Sequence, residues 1–211
     1  KKSLKKFIEY FGYTIVNKVY HEEFLNMMCF YPIKTLNLLN LYMHVLNKKK
    51  MTIVQVGAND GVTADPLNGF LNNYCQTNLL RTKTLVYLLE PSKNNYLKLE
   101  QNYKHMKNVF PLNYAIDKVD GEREMFYVPE SKMKKYNKVL TGIQSFHKSH
   151  LTKHTVNNLD IRSETVSTIT FSTLMKNYNI GNIDVLIIDC EGYDKDVIEN
   201  YFEKTSFKPV I

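Results

Sequence analysis

Residues 52–61 read TIVQVGANDG, a short β-branched run that ends at Gly57 and leads to a second glycine, Gly61. A run of Thr, Ile and Val is typical of a buried strand, and the glycines predict a tight turn directly after it. Asp65-Pro66 then predicts a helix N-cap followed by proline at the first helical position, with the helix continuing to about Cys75. The stretch therefore indicates a strand that turns sharply into a helix.

The alternation of apolar strands with amphipathic helices continues along the chain. Further apolar runs predict strands at residues 84–89, 109–112 and 183–188. This order indicates an α/β fold, with a Rossmann-like, mostly parallel sheet covered by helices on both faces. Because parallel strands end at one edge, we expect the loops after Val56, Leu89 and Ile188 to form the ligand site.

The chain is predicted to have two parts, residues 1–50 and residues 51–211. The first is an N-terminal helical segment packed on the core, and the second is a single ligand-binding domain. Polar residues from about 121 to 170 indicate an insertion over the sheet, with extended pieces at 124–128 and 165–170. The helix after Gly192 is predicted to turn four apolar side chains inward: Val197, Ile198, Tyr201 and Phe202.

The net charge of +7 could favour an anionic partner. However, the lysines are scattered, Arg is scarce, and no cluster of aromatic and Arg residues for base stacking is visible. We therefore expect a solvated basic surface and no nucleic-acid partner, with an anionic partner as the alternative. Three distant cysteines predict neither a disulfide nor a metal site, which fits a reducing, cytoplasmic location. No apolar run reaches the ~18 residues that a transmembrane helix needs.

The glycine loop excludes two nucleotide-binding patterns. A dinucleotide pattern GxGxxG would need glycines where Asn59 and Val62 stand, and a phosphate-binding loop would need a following Gly-Lys-Ser/Thr. A ligand without a pyrophosphate is therefore favoured, and a plain turn is the alternative. Glu90 ends the second strand, where a carboxylate can accept both hydroxyls of a ribose. A surface glutamate before Pro91 is the alternative to that role. Asn113, after the third strand, is then expected near an adenine.

Acidic and histidine residues supply candidates for proton transfer. Asp189 and Glu191 follow the strand at 183–188, where partial desolvation raises a carboxylate pKa towards values useful for a general base. The alternative is that both acids only satisfy the dipole of the next helix. His147, His150 and His154 have spacings that place them on one helix face, so a metal site, catalysis or substrate contact, and a solvated structural face all remain open.

Several motifs in order resemble the FkbM family of methyltransferases. They are VQVGANDG (54–61), LLEPS (88–92), PLNYAI (111–116), SFHKSHLTKH (145–154) and LIIDCEGYDKDVI (186–198). The resemblance runs from about residue 52 to the end. It implies S-adenosylmethionine as cofactor and O-methylation of a hydroxyl-bearing acceptor, most often a sugar, glycan or small molecule. We expect no metal at the site. The family's pattern continues through further strands beyond residues 209–211, so we expect part of the sheet to be missing from this chain.

The resemblance also assigns roles to residues. Gly57, Asn59 and Gly61 would face the cofactor, Glu90 its ribose, and Asn113 with Ala115 its adenine. The neighbouring Gln55, Ala58, Asp60 and Pro91 are expected among the cofactor contacts. Asp189 would contact the cofactor as well, and with Glu191 it would border the methyl-transfer site. Asp189, or else His147 or His150, would take the hydroxyl proton. A nucleic-acid methyltransferase and a non-catalytic scaffold of the same fold remain the alternatives.

Overall fold

The computed structural model of the protein describes residues 51–63, 65, 67–68, 71, 84–136 and 143–205. The predicted N-terminal helical segment, the strand expected at 209–211, Cys29 and Cys75 lie outside these ranges. The start of the helix predicted after β-strand 52–56 lies within them. There, Asp65 Oδ1 accepts hydrogen bonds from the backbone nitrogens of Leu67 at 2.6 Å and Asn68 at 2.9 Å. Asp65 therefore caps the N-terminus of this helix, as its sequence position predicted.

The strands of the described residues are, in chain order, β1 (Thr52–Val56), β2 (Leu85–Leu89), β3 (Val109–Leu112), β4 (Ala115–Ile116), β5 (Gly121–Tyr127), β6 (Gln144–Ser145), β7 (Arg162–Ile169) and β8 (Val185–Ile188). The α-helices are α1 (Lys93–Tyr103), α2 (Glu130–Met133), α3 (Lys148–Lys153), α4 (Phe171–Asn177) and α5 (Asp194–Lys204). A 3₁₀ turn covers Asn158–Asp160. No helix in this part of the chain is long and apolar enough to cross a membrane.

The first sheet has the order β3-β2-β1-β8, and each of its three strand pairs is parallel. All five residues of β1 are buried, as expected of a central strand covered on both faces. Successive side chains of a strand point to opposite faces, so Ile53 packs in one core and Val54 in the other. The predicted mostly parallel sheet is confirmed for these strands.

Helices cover both faces of this sheet. On one face α1 buries Leu99 and Tyr103 against the core that contains Ile53. On the other, α4 and α5 bury side chains against Val54, among them Phe171 and Tyr201. The sheet is thus enclosed on both sides, and its carboxyl edge is where loops gather.

Residues 115–169 build a second sheet, with the order β4-β7-β5-β6. Its main pair is antiparallel, from Gly121 opposite Thr168 to Tyr127 opposite Arg162. The extended pieces expected at 124–128 and 165–170 are parts of these two longer strands. This sheet was not predicted from the sequence, because β5 and β7 are mostly polar and few of their side chains are buried, Met125 and Val166 among them.

One predicted core residue is wrong. Phe202 is 44 % exposed, whereas Asn200 is 1 % exposed and lies in the buried stripe with Val197 and Tyr201. These three residues have the spacing i, i+3, i+4, and Phe202 lies a further 100° around the helix, outside that stripe.

Candidate active site

The strands of the first sheet end in one row. Val56 is paired with Leu89 on one side and Ile188 on the other, and Leu89 is paired with Leu112. The residues that follow these ends are Gly57, Glu90, Asn113 and Asp189. Because the register is continuous, these residues lie along a single edge, as the loops after Val56, Leu89 and Ile188 were predicted to do.

A cleft lies between this edge and the second sheet and encloses about 670 Å³, including its open mouth. Seven of the predicted site residues line the cleft: Gly57, Asn59, Glu90, Pro91, Ala115, Asp189 and Glu191. A second cavity of about 1050 Å³ adjoins it, and Asn59, Asn95 and Gln144 line both. Asp60 lines only the second cavity.

Glu90 is the most deeply buried acid of the cleft, with 4 % of its surface exposed. One carboxylate oxygen accepts a hydrogen bond from the backbone nitrogen of Asn59 at 2.8 Å, and the other accepts one from that of Ser92 at 2.9 Å. Burial raises the pKa of Glu90 to about 7, although both hydrogen bonds oppose the shift. A carboxylate has about four acceptor positions, so Glu90 can still accept hydrogen bonds from a ligand's hydroxyls.

The two glycines of the first loop are required by the protein's own packing. Gly57 has φ +84°, and a Cβ there would overlap the carbonyl oxygen of Asp189. Gly61 has φ +71°, and a Cβ there would overlap the side chains of Tyr103 and Leu99 on α1. Gly57 therefore lets the first loop approach the loop after β8 closely. Gly61 seats the loop on α1 and does not line the cleft.

Three other residues predicted to contact the cofactor lie outside the lining of the cleft and stabilise the segments around it. Gln55 is buried and its Nε2 donates to Asp65 Oδ2 at 2.9 Å, which ties β1 to the following helix start. The nitrogen of Ala58 donates to the carbonyl of Leu89 at 2.9 Å. Asn113 Nδ2 donates to the carbonyls of Glu90 and Pro91 at 2.9 and 2.8 Å. None of the three is among the residues that line the cleft. Asn113 thus fixes the loop that carries Glu90.

Asp60 stabilises the turn of the first loop. Its carboxylate accepts from the backbone nitrogens of Val62 and Thr63 at 2.9 and 2.7 Å, and from the Thr63 hydroxyl at 2.7 Å. Burial alone would raise the pKa of Asp60, but these hydrogen bonds lower it below its ordinary value. Asp60 is therefore ionised at neutral pH and already has three protein partners.

Asp189 and Glu191 form the acidic end of the cleft. Burial raises the pKa of Asp189, and the nearby charges of Glu191 and Asp194 raise it further. Glu191 has φ +45°, an unusual backbone conformation for a residue other than glycine, and such residues concentrate at functional sites. Cys190 stands between them in the sequence, but burial raises the pKa of its thiol, so the thiol stays protonated and is a poor nucleophile.

The three candidate histidines lie outside the lining of the cleft, and one of them contacts Glu191. His150 Nε2 is 3.3 Å from Glu191 Oε2, and its ring lies against Gly192. The ring of His154 is 4.9 Å from that of His150. His147 is the N-cap residue of α3, and its ring centroid is 5.9 Å from that of Tyr193. Neither His147 nor His150 is among the cleft-lining residues. Each contacts a residue that is: His150 contacts Glu191, and His147 lies beside Tyr193. Among the described residues no three His, Cys, Asp or Glu side chains are grouped to hold a metal ion.

Several residues of the cleft wall were not predicted from the sequence. They are Asn95, Ile116, Met125, Gln144, Ser145, Phe146 and Tyr193. Ser145 and Phe146 stand in one of the motifs quoted above, and Ile116 and Tyr193 stand in two others, so motif position was the available signal. Ser145 Oγ donates to the carbonyl of Glu191 at 2.8 Å, which joins the second sheet directly to the acidic loop.

The charge of the cleft is one-sided. Glu90, Asp189 and Glu191 line it, and no Lys, Arg or His is among the described residues that do so. Clustered acids in a cleft favour a cationic or neutral ligand and disfavour an anionic one. The remainder of the wall is apolar or carries neutral polar groups, so a ligand's hydroxyl groups would find partners there and a positive centre would find them in the acids.

Comparison with known proteins identifies a family. A sequence model of the family described as "Methyltransferase FkbM domain" matches residues 55–211, well over half of the chain. No curated protein and no solved structure matches the chain.

Proposed function

Since the chain belongs to the FkbM methyltransferase family, whose members use S-adenosylmethionine, we propose that it methylates a hydroxyl group of a sugar, glycan or small-molecule acceptor. The observation that carries this proposal is the placement of Asp189 and Glu191 in the same cleft as the buried Glu90. One cleft then provides both a cofactor-binding acid and the acids needed for proton transfer.

The residues present fit the cofactor. Glu90 is a buried carboxylate with acceptor positions left over, which suits the two hydroxyls of a ribose. Asp189 and Glu191 provide negative charge for a ligand with a positive sulfur and an ammonium group. We therefore propose a class I, Rossmann-like site, with Glu90 at the ribose and Pro91 and Ala115 beside the adenine.

When bound, S-adenosylmethionine supplies a methyl group activated by the positive charge of its sulfur. The protein aligns the acceptor hydroxyl with that methyl group, and such alignment can account for roughly 7–11 kcal/mol of a reaction barrier. Asp189 takes the hydroxyl proton in this proposal, because burial and the neighbouring Glu191 raise its pKa and make it a stronger base than an exposed aspartate. Glu191, held by His150 and Ser145, orients the hydroxyl.

The charge of the cleft supports an acceptor without phosphate groups. A nucleic-acid methyltransferase needs cations beside the phosphates of its substrate. The part of the cleft that the structure describes has three acids and no basic residue in its lining. A neutral hydroxyl-bearing acceptor is therefore favoured over RNA or DNA.

The first test is calorimetric titration of the protein with S-adenosylhomocysteine, the demethylated product. We expect micromolar binding, about −8 kcal/mol. Failure to bind would contradict the proposal and favour a scaffold without catalysis.

The second test identifies the acceptor group. The protein is incubated with S-adenosylmethionine labelled in its methyl group and a panel of neutral sugars, small alcohols, sugar phosphates, RNA and DNA. A methyl ether on a hydroxyl survives mild alkali, whereas a methyl ester is hydrolysed. Alkali-stable label on a neutral compound supports the proposal, and label on RNA or DNA alone would contradict it.

A further inference from the structure

Three side chains join the second sheet to the loop after β8. Arg123 on β5 donates from Nη1 to Asp117 Oδ2 at 2.9 Å and to the Tyr193 hydroxyl at 2.8 Å. The Tyr193 hydroxyl in turn donates to Asp117 Oδ1 at 2.7 Å. The three groups therefore form a closed ring of hydrogen bonds, and each bond involves the charged guanidinium, the charged carboxylate or both.

The Arg123 guanidinium also lies over two aromatic rings. Its central carbon is 4.3 Å from the ring centroid of Phe146 and 4.9 Å from that of Tyr193. The two rings meet edge to face at 5.1 Å, with an interplanar angle of 88°. Phe146 and Tyr193 both line the cleft, whereas Arg123 does not. Arg123 thus lies behind the wall and touches both of its aromatic residues.

The hydroxyl of Tyr193 is not available for proton transfer. Burial and the hydrogen bond to Asp117 raise the pKa of Tyr193 to about 12, so it stays protonated at neutral pH. Burial alone would raise the pKa of Asp117, but the hydrogen bonds that its carboxylate accepts from Tyr193, the backbone nitrogen of Lys118 and Arg123 lower that pKa. Asp117 is therefore ionised, and the charges of Asp117 and Arg123 are matched.

We propose that Arg123 is a positioning residue that holds the Tyr193 ring in the wall of the cofactor cleft. It acts through Tyr193 and contacts no ligand itself. The same contact fixes the end of the loop that carries Asp189 and Glu191, so the second sheet sets the shape of the acidic end of the cleft. This inference rests on the proposed function, because the ligand of the cleft is taken to be the methyl donor or its product.

The test is a double-mutant cycle read by calorimetric titration with S-adenosylhomocysteine. Arg123→Met is compared with the wild type, and the same substitution is made in a Tyr193→Leu background. We expect Arg123→Met to weaken binding at least tenfold in the wild type and less than twofold in the Tyr193→Leu background. A merely structural role would weaken binding equally in both backgrounds.

Arg162→Met is the matched control, because Arg162 lies on the same sheet and, among the described residues, donates only to the backbone carbonyls of Leu159 and Ile161. It should bind within twofold of the wild type. Binding by Arg123→Met within twofold of the wild type would overturn the inference, as would an equal loss in both backgrounds. If circular dichroism shows that Arg123→Met does not fold, Arg123→Lys replaces it, since lysine keeps the charge but cannot span both partners.

Failure of the proposed function is distinguishable from failure of this inference. If the wild type does not bind S-adenosylhomocysteine, the proposed function fails. The positioning of Tyr193 by Arg123 is then tested by NMR chemical shifts of the Tyr193 ring, whose signals are assigned by comparison with Tyr193→Phe. A Tyr193 signal shifted by Arg123→Met or its Arg123→Lys replacement, and unmoved by Arg162→Met, supports the positioning role. An unchanged signal overturns it.

Discussion

Glu90 Oε2 lies 2.8 Å from the backbone nitrogen of Asn59 and accepts a hydrogen bond from it. This contact joins the loop after β1 to the end of β2, two segments that meet only because their strands are neighbours. Asn59 has φ +50°, a conformation that Asn tolerates better than most residues, and it turns the loop nitrogen towards the acid. Cofactor affinity should therefore depend on Glu90 more than on any other side chain of the edge.

Glu90→Gln should weaken S-adenosylhomocysteine binding at least tenfold, because a hydrogen bond to a charged group contributes about 1.5–3 kcal/mol. Calorimetric titration measures the change. Glu100→Gln is the control, since Glu100 is exposed on α1 and bonded to the Tyr96 hydroxyl. Equal affinities for the wild type and Glu90→Gln would show that Glu90 is not the ribose acceptor.

Binding should also depend on pH through Glu90. Burial raises the pKa of Glu90 to about 7, and the ionised form is the better hydrogen-bond acceptor. Affinity should be constant above pH 7 and fall below it by up to about tenfold per pH unit. The stability of the free protein should have the opposite trend. Because the pKa of Glu90 is higher in the folded than in the unfolded protein, its contribution to the free energy of unfolding is present below the unfolded pKa and is lost as the pH rises to about 7. Titrations and thermal melts between pH 5.5 and 8.5 test both, and a Glu90→Gln variant should lose both dependences.

Gly61→Ala should destabilise the fold. A Cβ at φ +71° is strained and would overlap Tyr103 and Leu99, which are both buried. The expected loss is about 2–4 kcal/mol of unfolding free energy, from backbone strain and overpacking together. Denaturant unfolding measures it. Gly181→Ala is the control, because no atom lies within 4 Å of a Cβ built there. Similar stability of the two variants would refute the packing role of Gly61.

Asn113→Ala should affect stability more than ligand binding. Its amide holds the carbonyls of Glu90 and Pro91, so its loss leaves partly buried acceptors unpaired at a cost of about 1–3 kcal/mol. S-adenosylhomocysteine affinity of the folded variant should stay within about threefold of the wild type. A large loss of affinity without loss of stability would instead restore the adenine-reading role that the sequence suggested.

Asp189→Asn should slow methyl transfer by about 10²–10⁴-fold if Asp189 is the base. The loss in turnover should exceed the loss in S-adenosylhomocysteine affinity, because the asparagine keeps the shape of the cleft. Initial rates with the acceptor found by methyl labelling provide the measurement. Asp196→Asn serves as control, since Asp196 pairs with Lys118 outside the cleft lining. Full activity of Asp189→Asn would move the base role to Glu191 and His150, which Glu191→Gln then tests.

Local sequence was sufficient for the first sheet and for part of the site. The strand predicted at residues 52–56 has the observed bounds, and the strand predicted at 183–188 begins two residues later in the structure. Such runs are legible because a central parallel strand is buried on both faces and so must be apolar throughout. The register of the parallel strands then brings Gly57, Glu90 and Asp189 to one edge without further information.

The second sheet and the aromatic wall could not be predicted in this way. β5 and β7 pair antiparallel across about 40 positions, and their exposed polar residues do not specify a partner strand. Arg123 and Tyr193 are 70 positions apart and touch only after both sheets have formed. The helix α5 gives a similar example. Its periodicity predicts a buried stripe of side chains, but not that the stripe extends to Asn200 and leaves Phe202 exposed.

By itself the sequence determined the strands of the first sheet, the glycine turn and the acids at the strand ends, because these follow from local burial and backbone conformation. The tertiary structure alone decided which residues surround the cleft. It moved Gln55, Gly61 and Asn113 into supporting positions and brought Phe146 and Tyr193 into the wall. The physical reason is that contacts between distant segments depend on the packing of whole sheets, which no local pattern encodes.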